Sequence, residues 1–355
     1  MIQWRPDTLG EGFECLTIEL GPDDDPSLPA PATEQQQEGP LNARQLVATL
    51  VRSLPKPRTL WQRITGNDRE FEDVDVLYIH GWSDYFFQAD LARFWTERGA
   101  RFFAIDLRRY GRSLRPGQTA GYISDLTEYD REIEFALAEM GTSAPSSREA
   151  RKLVLLGHST GGLVLSLWAS RHPGVADALV LNSPWLELQL SARGRQMIAP
   201  IVNLGAKYVP LEGIPQLDYG FYARALREVG PKEEVALINP EWKPEQSHAV
   251  HNGWLRAILA GHDRVYRGLH IDVPVCVLLS ARSALPARWS EELTRTDSVL
   301  DVDDISRAAL RLGSAVTVER IDGALHDIFM SAPEPRADAY ARLERWTKGW
   351  RRALD

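Results

Sequence analysis

The chain has 355 residues, 44% of them hydrophobic and 25% charged, which is ordinary globular composition with ample material for a buried core. Its formal net charge of −8 argues against generic nucleic-acid binding, which needs a basic face, and leaves room only for a local basic patch. The two cysteines, Cys15 and Cys276, exclude a disulfide framework, and Cys276 inside the apolar run "VPVCVLLS" reads as a small core hydrophobe.

The first predicted element is a strand, "FECLTIEL" (Phe13–Leu20). The stretch 21–40 is rich in Pro, Asp and Gln, too polar to pack, and reads as a flexible loop. "ARQLVATLVRSL" (Ala43–Leu54) resumes the strand pattern, so the two runs form a long-looped antiparallel hairpin. A regular alternation follows. Strand "VDVLYI" (Val74–Ile79) precedes a helix over Asp84–Gly99, and strand "RFFAIDL" (Arg101–Leu107) precedes a helix over Tyr122–Met140. Strand "KLVLLGH" (Lys152–His158) leads into a helix over Thr160–His172 and then strand "DALVLNS" (Asp177–Ser183). The rhythm breaks over residues 184–268, where helical pieces and turns contain no convincing buried strand. It resumes with a strand over Val273–Ser280, a helix near Val302–Leu312, a strand over Ala315–Ile321 and a final helix. Strands separated by helix-length segments imply a parallel sheet with right-handed crossovers. The expectation is an α/β fold: a mostly parallel central sheet opened by an antiparallel hairpin, with helices on both faces. Its core spans residues 1–183 and 269–355, and residues 184–268 form an inserted cap. No leader-like segment opens the sequence and no apolar run reaches about eighteen residues, so a cytoplasmic chain with no transmembrane segment is expected.

The segment "LLGHSTGG" carries the chemistry. Ser159 stands between a strand and a helix in the order Gly157-His158-Ser159-Thr160-Gly161, the G-x-S-x-G pattern in the context that gives it meaning. A sharp strand-to-helix turn projects the hydroxyl at the carboxyl edge of the sheet, over a helix N-terminus that favours negative charge. A serine nucleophile needs a base, and the base an orienting acid. His326, in "IDGALHDIF", follows the last strand and is the candidate base, whereas His158 reads as a packing residue beside the turn. His248 and His251 form an H-x-x-H pair without a third ligand, so no metal is expected. The acid belongs after "VPVCVLLS", where Glu291, Glu292, Asp297, Asp301, Asp303 and Asp304 are all available. Oxyanion donors are expected from the backbone N–H groups of Thr160, after the nucleophile, and Trp82, after "YIHG".

The order of "HGW", "DLRRYGRS", "GHSTGG" and "GALHD" resembles the α/β-hydrolase fold. More narrowly, it resembles the serine-hydrolase group of monoacylglycerol lipases, lysophospholipases and serine aminopeptidases S33. The resemblance covers about Val74 to the C-terminus, and the insertion matches the family's cap in position only. It carries over Asp297, first residue of "DSVLD", as the acid, with Asp301 second. Sixteen residues, Ala281–Thr296, separate Asp297 from its strand, where the family's pattern has a few. The resemblance also implies that Asp106 and Ser113 are structural, and that Thr160 stands where methionine is common. Serine at the elbow argues against relatives that use aspartate there.

Together these readings predict a serine hydrolase of carboxylic esters acting through Ser159, His326 and Asp297, without cofactor or metal. Its substrate is expected to be a small-molecule ester, lipid-like if the apolar residues Met197, Ile198, Ile201, Val202, Tyr208, Phe221, Tyr222 and Trp254 face it rather than pack the cap. The competing readings are amide hydrolysis, which needs a carboxylate cluster for a substrate amine (Glu187, Glu212 and Asp218 are available), and a non-catalytic ligand-binding chain of the same fold.

Overall fold

A computed structural model describes residues 3–25, 45–57, 69–141, 151–188, 192–214, 218–284 and 287–354. The predicted loop residues 26–40 lie outside these. In chain order the elements are β1 (Arg5–Pro6), β2 (Phe13–Pro22), β3 (Gln45–Ser53), β4 (Val74–Ile79), α1 (Ala89–Glu97), β5 (Arg101–Asp106), α2 (Asp130–Met140), β6 (Lys152–His158), α3 (Thr160–Arg171) and β7 (Ala178–Asn182). Next come α4 (Ala192–Tyr208), β8 (Gly213–Ile214), α5 (Phe221–Val229), α6 (Lys232–Val235), β9 (Val250–His251) and α7 (Asn252–Arg267). The chain closes with β10 (Val275–Ser280), α8 (Val302–Ala309), β11 (Val316–Ile321) and α9 (Pro333–Arg352).

The main sheet has nine strands in the order β1-β2-β3-β5-β4-β6-β7-β10-β11. The hairpin β2–β3 is antiparallel and joins β5 antiparallel, while β5 through β11 are parallel. From β4 the chain first steps to β5 on one side and then to β6 on the other. That reversal opens a crevice at the carboxyl ends of β4 and β6, where ligands of open parallel sheets bind. "HGW" and Ser159 leave from those two ends.

Side chains alternate across the strands into two apolar layers. Leu77, Ile79, Leu153, Leu155, Val275 and Val277 meet Ile133 of α2, Leu163 of α3 and Ile305 of α8 on one face. Val76, Tyr78, Val154, Leu156, Cys276 and Leu278 meet Trp95 of α1 and Leu343 of α9 on the other. Every residue of β4 and β10 is buried, so both read as apolar runs apart from Asp75, which is paired with Arg101 and Arg151, and Ser280 at the end of β10.

Two predicted helices start later than their patterns implied. α1 begins at Ala89 rather than Asp84, because Tyr85, Phe86 and Phe87 are all buried in succession, which one helix face does not allow. α2 begins at Asp130, preceded by a 3-10 turn (Leu126–Tyr129) that Asp125 caps through the Thr127 N–H at 2.8 Å. Between β7 and β10, among the described residues, the chain adds nothing to the main sheet. It contributes four helices and the two-stranded ribbon β8–β9. Trp254, Ala257 and Ile258 of α7 join the same apolar layer as α3, so this end of the insertion is continuous with the core. No helix among the described residues is long and apolar enough to cross a membrane.

The insertion is also tied to the core through α6. Glu234 accepts the Asp90 N–H at 2.6 Å in the first turn of α1, whose own N-cap residue, Gln88, makes no side-chain capping bond. Burial pushes the Glu234 carboxyl up to about 8, against the opposing pull of that N–H. The folded chain therefore holds a proton that the unfolded chain releases near the ordinary carboxylate range, and stability is lost as pH rises from there through about 8. Glu234→Gln, which keeps the acceptor and removes the titration, is expected to match the wild-type melting temperature near about pH 5 and exceed it near about pH 9, by thermal denaturation at both.

Candidate active site

Ser159 sits in a strained turn between β6 and α3, at φ 50 and ψ −118, a conformation side-chain-bearing residues rarely adopt. Its N–H donates to the Asn182 carbonyl at 3.0 Å, holding the turn against β7. A Cβ on Gly161 would run into the backbone carbonyl oxygens of Ile79 and His80, so only glycine fits there. A Cβ on Gly81 would lie 2.9 Å from that of Ser159, because the loop after β4 crosses directly over the turn.

His326 follows β11 and is 3% exposed. Its Nδ1–H donates to Asp297 Oδ2 at 2.8 Å. Asp297 is fully buried, and its other oxygen accepts the N–H groups of Val299 and Leu300, each at 2.8 Å. The long spacing after β10 has a plain structural explanation. The chain leaves at Ala284 and comes back alongside itself, with Asp297 N–H donating to the Arg282 carbonyl and Ala284 N–H to the Asp297 carbonyl, both at 2.9 Å. Asp297 is thereby returned to the end of its strand. The second-choice acid, Asp301, is placed elsewhere: its carboxylate caps α8, accepting the Asp303 and Asp304 N–H groups at 3.0 Å. Helix-capping geometry, not distance along the chain, takes it away from His326.

Ser159, His326, Trp82 and Thr160 all line one cavity of about 720 Å³. Among the described residues the backbone N–H groups of Trp82 and Thr160 have no internal acceptor. Phe221, Tyr222, Trp185 and Trp254 from the insertion form much of the remaining wall. Of the apolar residues picked out in the sequence, Phe221, Tyr222 and Trp254 face this cavity, while Val202 is buried elsewhere and Ile201 and Tyr208 are 71% and 67% exposed. The side chains of Met197 and Ile198 lie outside the described residues.

The neighbouring histidines are pinned. His80 donates from Nδ1 to the Gly81 carbonyl at 2.8 Å and accepts the Leu107 N–H on Nε2 at 3.1 Å, stapling the end of β4 to that of β5. His158 donates from Nδ1 to the Asn182 carbonyl at 3.1 Å. Burial lowers the pKa of both rings. Asp106 and Ser113 are structural: Asp106 accepts from Phe86 N–H and Arg112, and Ser113 donates to the Asp106 carbonyl. His251 lies in β9 and His248 donates its backbone N–H to Ser83 Oγ. Among the described residues no three His, Cys, Asp or Glu side chains are grouped to hold a metal.

Two groups at the site escaped the sequence reading, Asp327 and the Asp84–Lys243 pair, and a third, Tyr222, was singled out only as an apolar residue of the insertion. Asp327 is buried beside His326 and accepts Gln88 Nε2 at 2.9 Å and Asn182 Nδ2 at 2.7 Å, tying the histidine loop to β7. Asp84 is paired with Lys243 at 2.8 Å. Burial alone would raise the Asp84 carboxyl, but the Lys243 ammonium together with the His158 and His80 rings holds it below the usual range. The Tyr222 ring stands edge-on to His326, centroids 5.7 Å apart. The one available signal was a charged residue inside the apolar run "LHDIFM".

Known proteins bear on this arrangement. The family model described as serine aminopeptidase, S33, matches residues 73–332. The chain is 24% identical over 265 residues to the 1-acylglycerol-3-phosphate O-acyltransferase ABHD5 of Rattus norvegicus, covering 65% of this chain and 66% of that protein. Among solved structures, the monoglyceride lipase of Saccharomyces cerevisiae superposes with a TM-score of 0.60 at 17% identity, covering 86% of this chain and 92% of that one. The monoacylglycerol lipase of Paleococcus ferrophilus gives 0.57 at 18%, covering 78% and 94%. Those two share the fold, and the family match spans well over half the sequence and contains both β4 and His326. The chain belongs to the serine aminopeptidase S33 family of α/β-hydrolases.

Proposed function

We propose that the chain is a serine hydrolase of carboxylic esters with an apolar acyl group, and that residues 184–268 are the cap over its site. The observation that carries this reading is the Asp297–His326 hydrogen bond at the edge of a cavity that also receives Ser159. With Nδ1 committed to Asp297, only His326 Nε2 is left to take the Ser159 proton. Ser159 Oγ attacks the acyl carbon, and the N–H groups of Trp82 and Thr160 stabilise the oxyanion. The protonated imidazole, held by Asp297, then gives its proton to the leaving alcohol. Water, deprotonated by the same nitrogen, releases the acid from the acyl-enzyme.

Cavity chemistry favours an ester over a peptide amine. Glu187 and Glu212 do not line the cavity. Asp218 does, but its oxygens are occupied by the Gly220 and Ser247 N–H groups and the Ser247 hydroxyl. The aromatic wall and a volume of about 720 Å³ suit an acyl chain, in keeping with the monoglyceride lipases that share the fold.

The test is turnover of p-nitrophenyl esters of increasing chain length beside aminoacyl anilides, with fluorophosphonate labelling. Labelling, with kcat/KM rising from acetyl to longer acyl chains and no anilide cleavage, is expected. Anilide cleavage at comparable kcat/KM overturns the ester assignment, and failure to label overturns the hydrolase in favour of the non-catalytic ligand-binding reading.

A further inference from the structure

Among the described residues, the hydrogen bonds that tie the loop carrying the Trp82 N–H to the core lie at its two ends, while between them the core touches it by ring contacts, Tyr110 against Trp82 and the Arg112 guanidinium over Tyr85. His80 bonds to Leu107 before it, and the Phe86 N–H donates to Asp106 Oδ1 at 2.9 Å after it. Between those points every residue from Trp82 to Tyr85 is held from the insertion. The Trp82 ring packs on Trp254, centroids 3.9 Å apart. Ser83, in the left-handed region at φ 52, accepts the His248 N–H on its hydroxyl at 3.1 Å. Asp84, 2% exposed, meets the Lys243 ammonium. The Tyr85 hydroxyl donates to the Leu237 carbonyl at 2.9 Å and accepts the Asn239 N–H at 2.8 Å.

We infer that residues 237–254 form a fixed strap that moulds the oxyanion loop, and that Lys243 is a positioning residue acting through Asp84. A left-handed non-glycine residue persists only where its surroundings over-determine it, and here the side-chain hydrogen bond of Ser83 comes from the strap. A buried carboxylate tolerates its site only while its cation stays in place, so the pair fixes where Asp84, and with it the preceding turn, must lie. Lys243 is itself well shielded, with 12% of its side chain exposed. This part of the insertion is then a component of the catalytic machinery and not a lid that swings clear of it.

The kinetic half of the test rests on the ester-hydrolase reading, and the exchange half does not. In the full-length chain, Lys243→Met is expected to lower kcat on p-nitrophenyl butyrate by about tenfold with KM within about twofold, a fraction of the loss from deleting an oxyanion donor outright. Lys243→Arg restores most of it. Amide hydrogen exchange over 81–85 should rise about tenfold in Lys243→Met while β4 and β6 stay protected. The double variant Asp84→Asn/Lys243→Met removes both charges. It is expected to regain the wild-type melting temperature but not kcat, separating positioning from stability, and it replaces the single variant if that one does not fold. Wild-type exchange over 81–85 in the folded variant, or wild-type kcat, overturns the inference. If the wild-type chain hydrolyses no ester, the functional reading fails and exchange alone decides the strap.

Discussion

Ser159→Ala is expected to lower kcat for ester hydrolysis by about 10⁴- to 10⁶-fold and to abolish fluorophosphonate labelling, with the fold retained. The size follows from the division of labour. Without Oγ no acyl-enzyme forms, and His326 and the oxyanion donors are left with only direct attack by water to assist. A second substitution at this position exposes what the nucleophile costs the fold. Alanine keeps a Cβ at φ 50 and so keeps the strain, whereas glycine accepts that conformation freely. Ser159→Gly is therefore expected to be inactive yet more stable than Ser159→Ala by about 1 kcal/mol, the lower part of the range for a strained backbone position. Labelling, single-turnover hydrolysis and chemical denaturation of the two variants side by side measure all three effects. Residual labelling of Ser159→Ala would move the nucleophile elsewhere.

Asp297→Asn should be almost as damaging to catalysis, at about 10⁴-fold in kcat. The amide keeps the volume and still accepts the N–H groups of Val299 and Leu300 on one oxygen. It then presents a donor where His326 Nδ1–H needs an acceptor. The imidazole turns or adopts the other tautomer, and Nε2 no longer takes the serine proton. Asp301→Asn offers the contrast, because asparagine caps a helix about as well as aspartate. Activity within about twofold of wild type and an unchanged melting temperature are expected there. Steady-state kinetics of the two variants separates the roles. Full activity in Asp297→Asn with loss in Asp301→Asn would reverse them.

The placement of Ser159 and His326 at one cavity was legible because each is marked by its immediate neighbours, one by a strand, two glycines and a helix, the other by its place after the last strand. The parallel sheet was legible for a similar reason: strands buried on both faces leave short, mostly apolar runs. The starts of α1 and α2 were not, since Tyr85, Phe86 and Phe87 are apolar in either conformation, and their burial in succession, which one helix face does not allow, exists only in the folded chain. The Asp84–Lys243 pair joins residues far apart along the chain, and Lys243 lies in a proline-flanked turn with no pattern to mark it. Asp327 with Gln88 and Asn182 is the same kind of case: three polar residues from three elements whose common burial exists only in the folded chain. Asp297 falls between these extremes. Its local pattern pointed to it, but its distance from β10 argued the other way until the backbone pairing with Arg282 and Ala284 was seen.

That pairing separates two quantities usually treated as one, the length of chain before an acid and the place the acid occupies. The detour between Ala284 and Asp297 is closed at its base by backbone bonds, so its contour can change while its end stays put. Closing a longer loop costs only a logarithmic increment in entropy. Part of the detour has a partner of its own, with the Arg224 guanidinium of α5 lying 3.9 Å over the Trp289 ring. A spacing rule calibrated on shorter versions of this loop would discard Asp297. A rule written in terms of which backbone groups close the loop would keep it, and would mark the detour as a place where sequence can be added or exchanged beside the site without displacing the carboxylate.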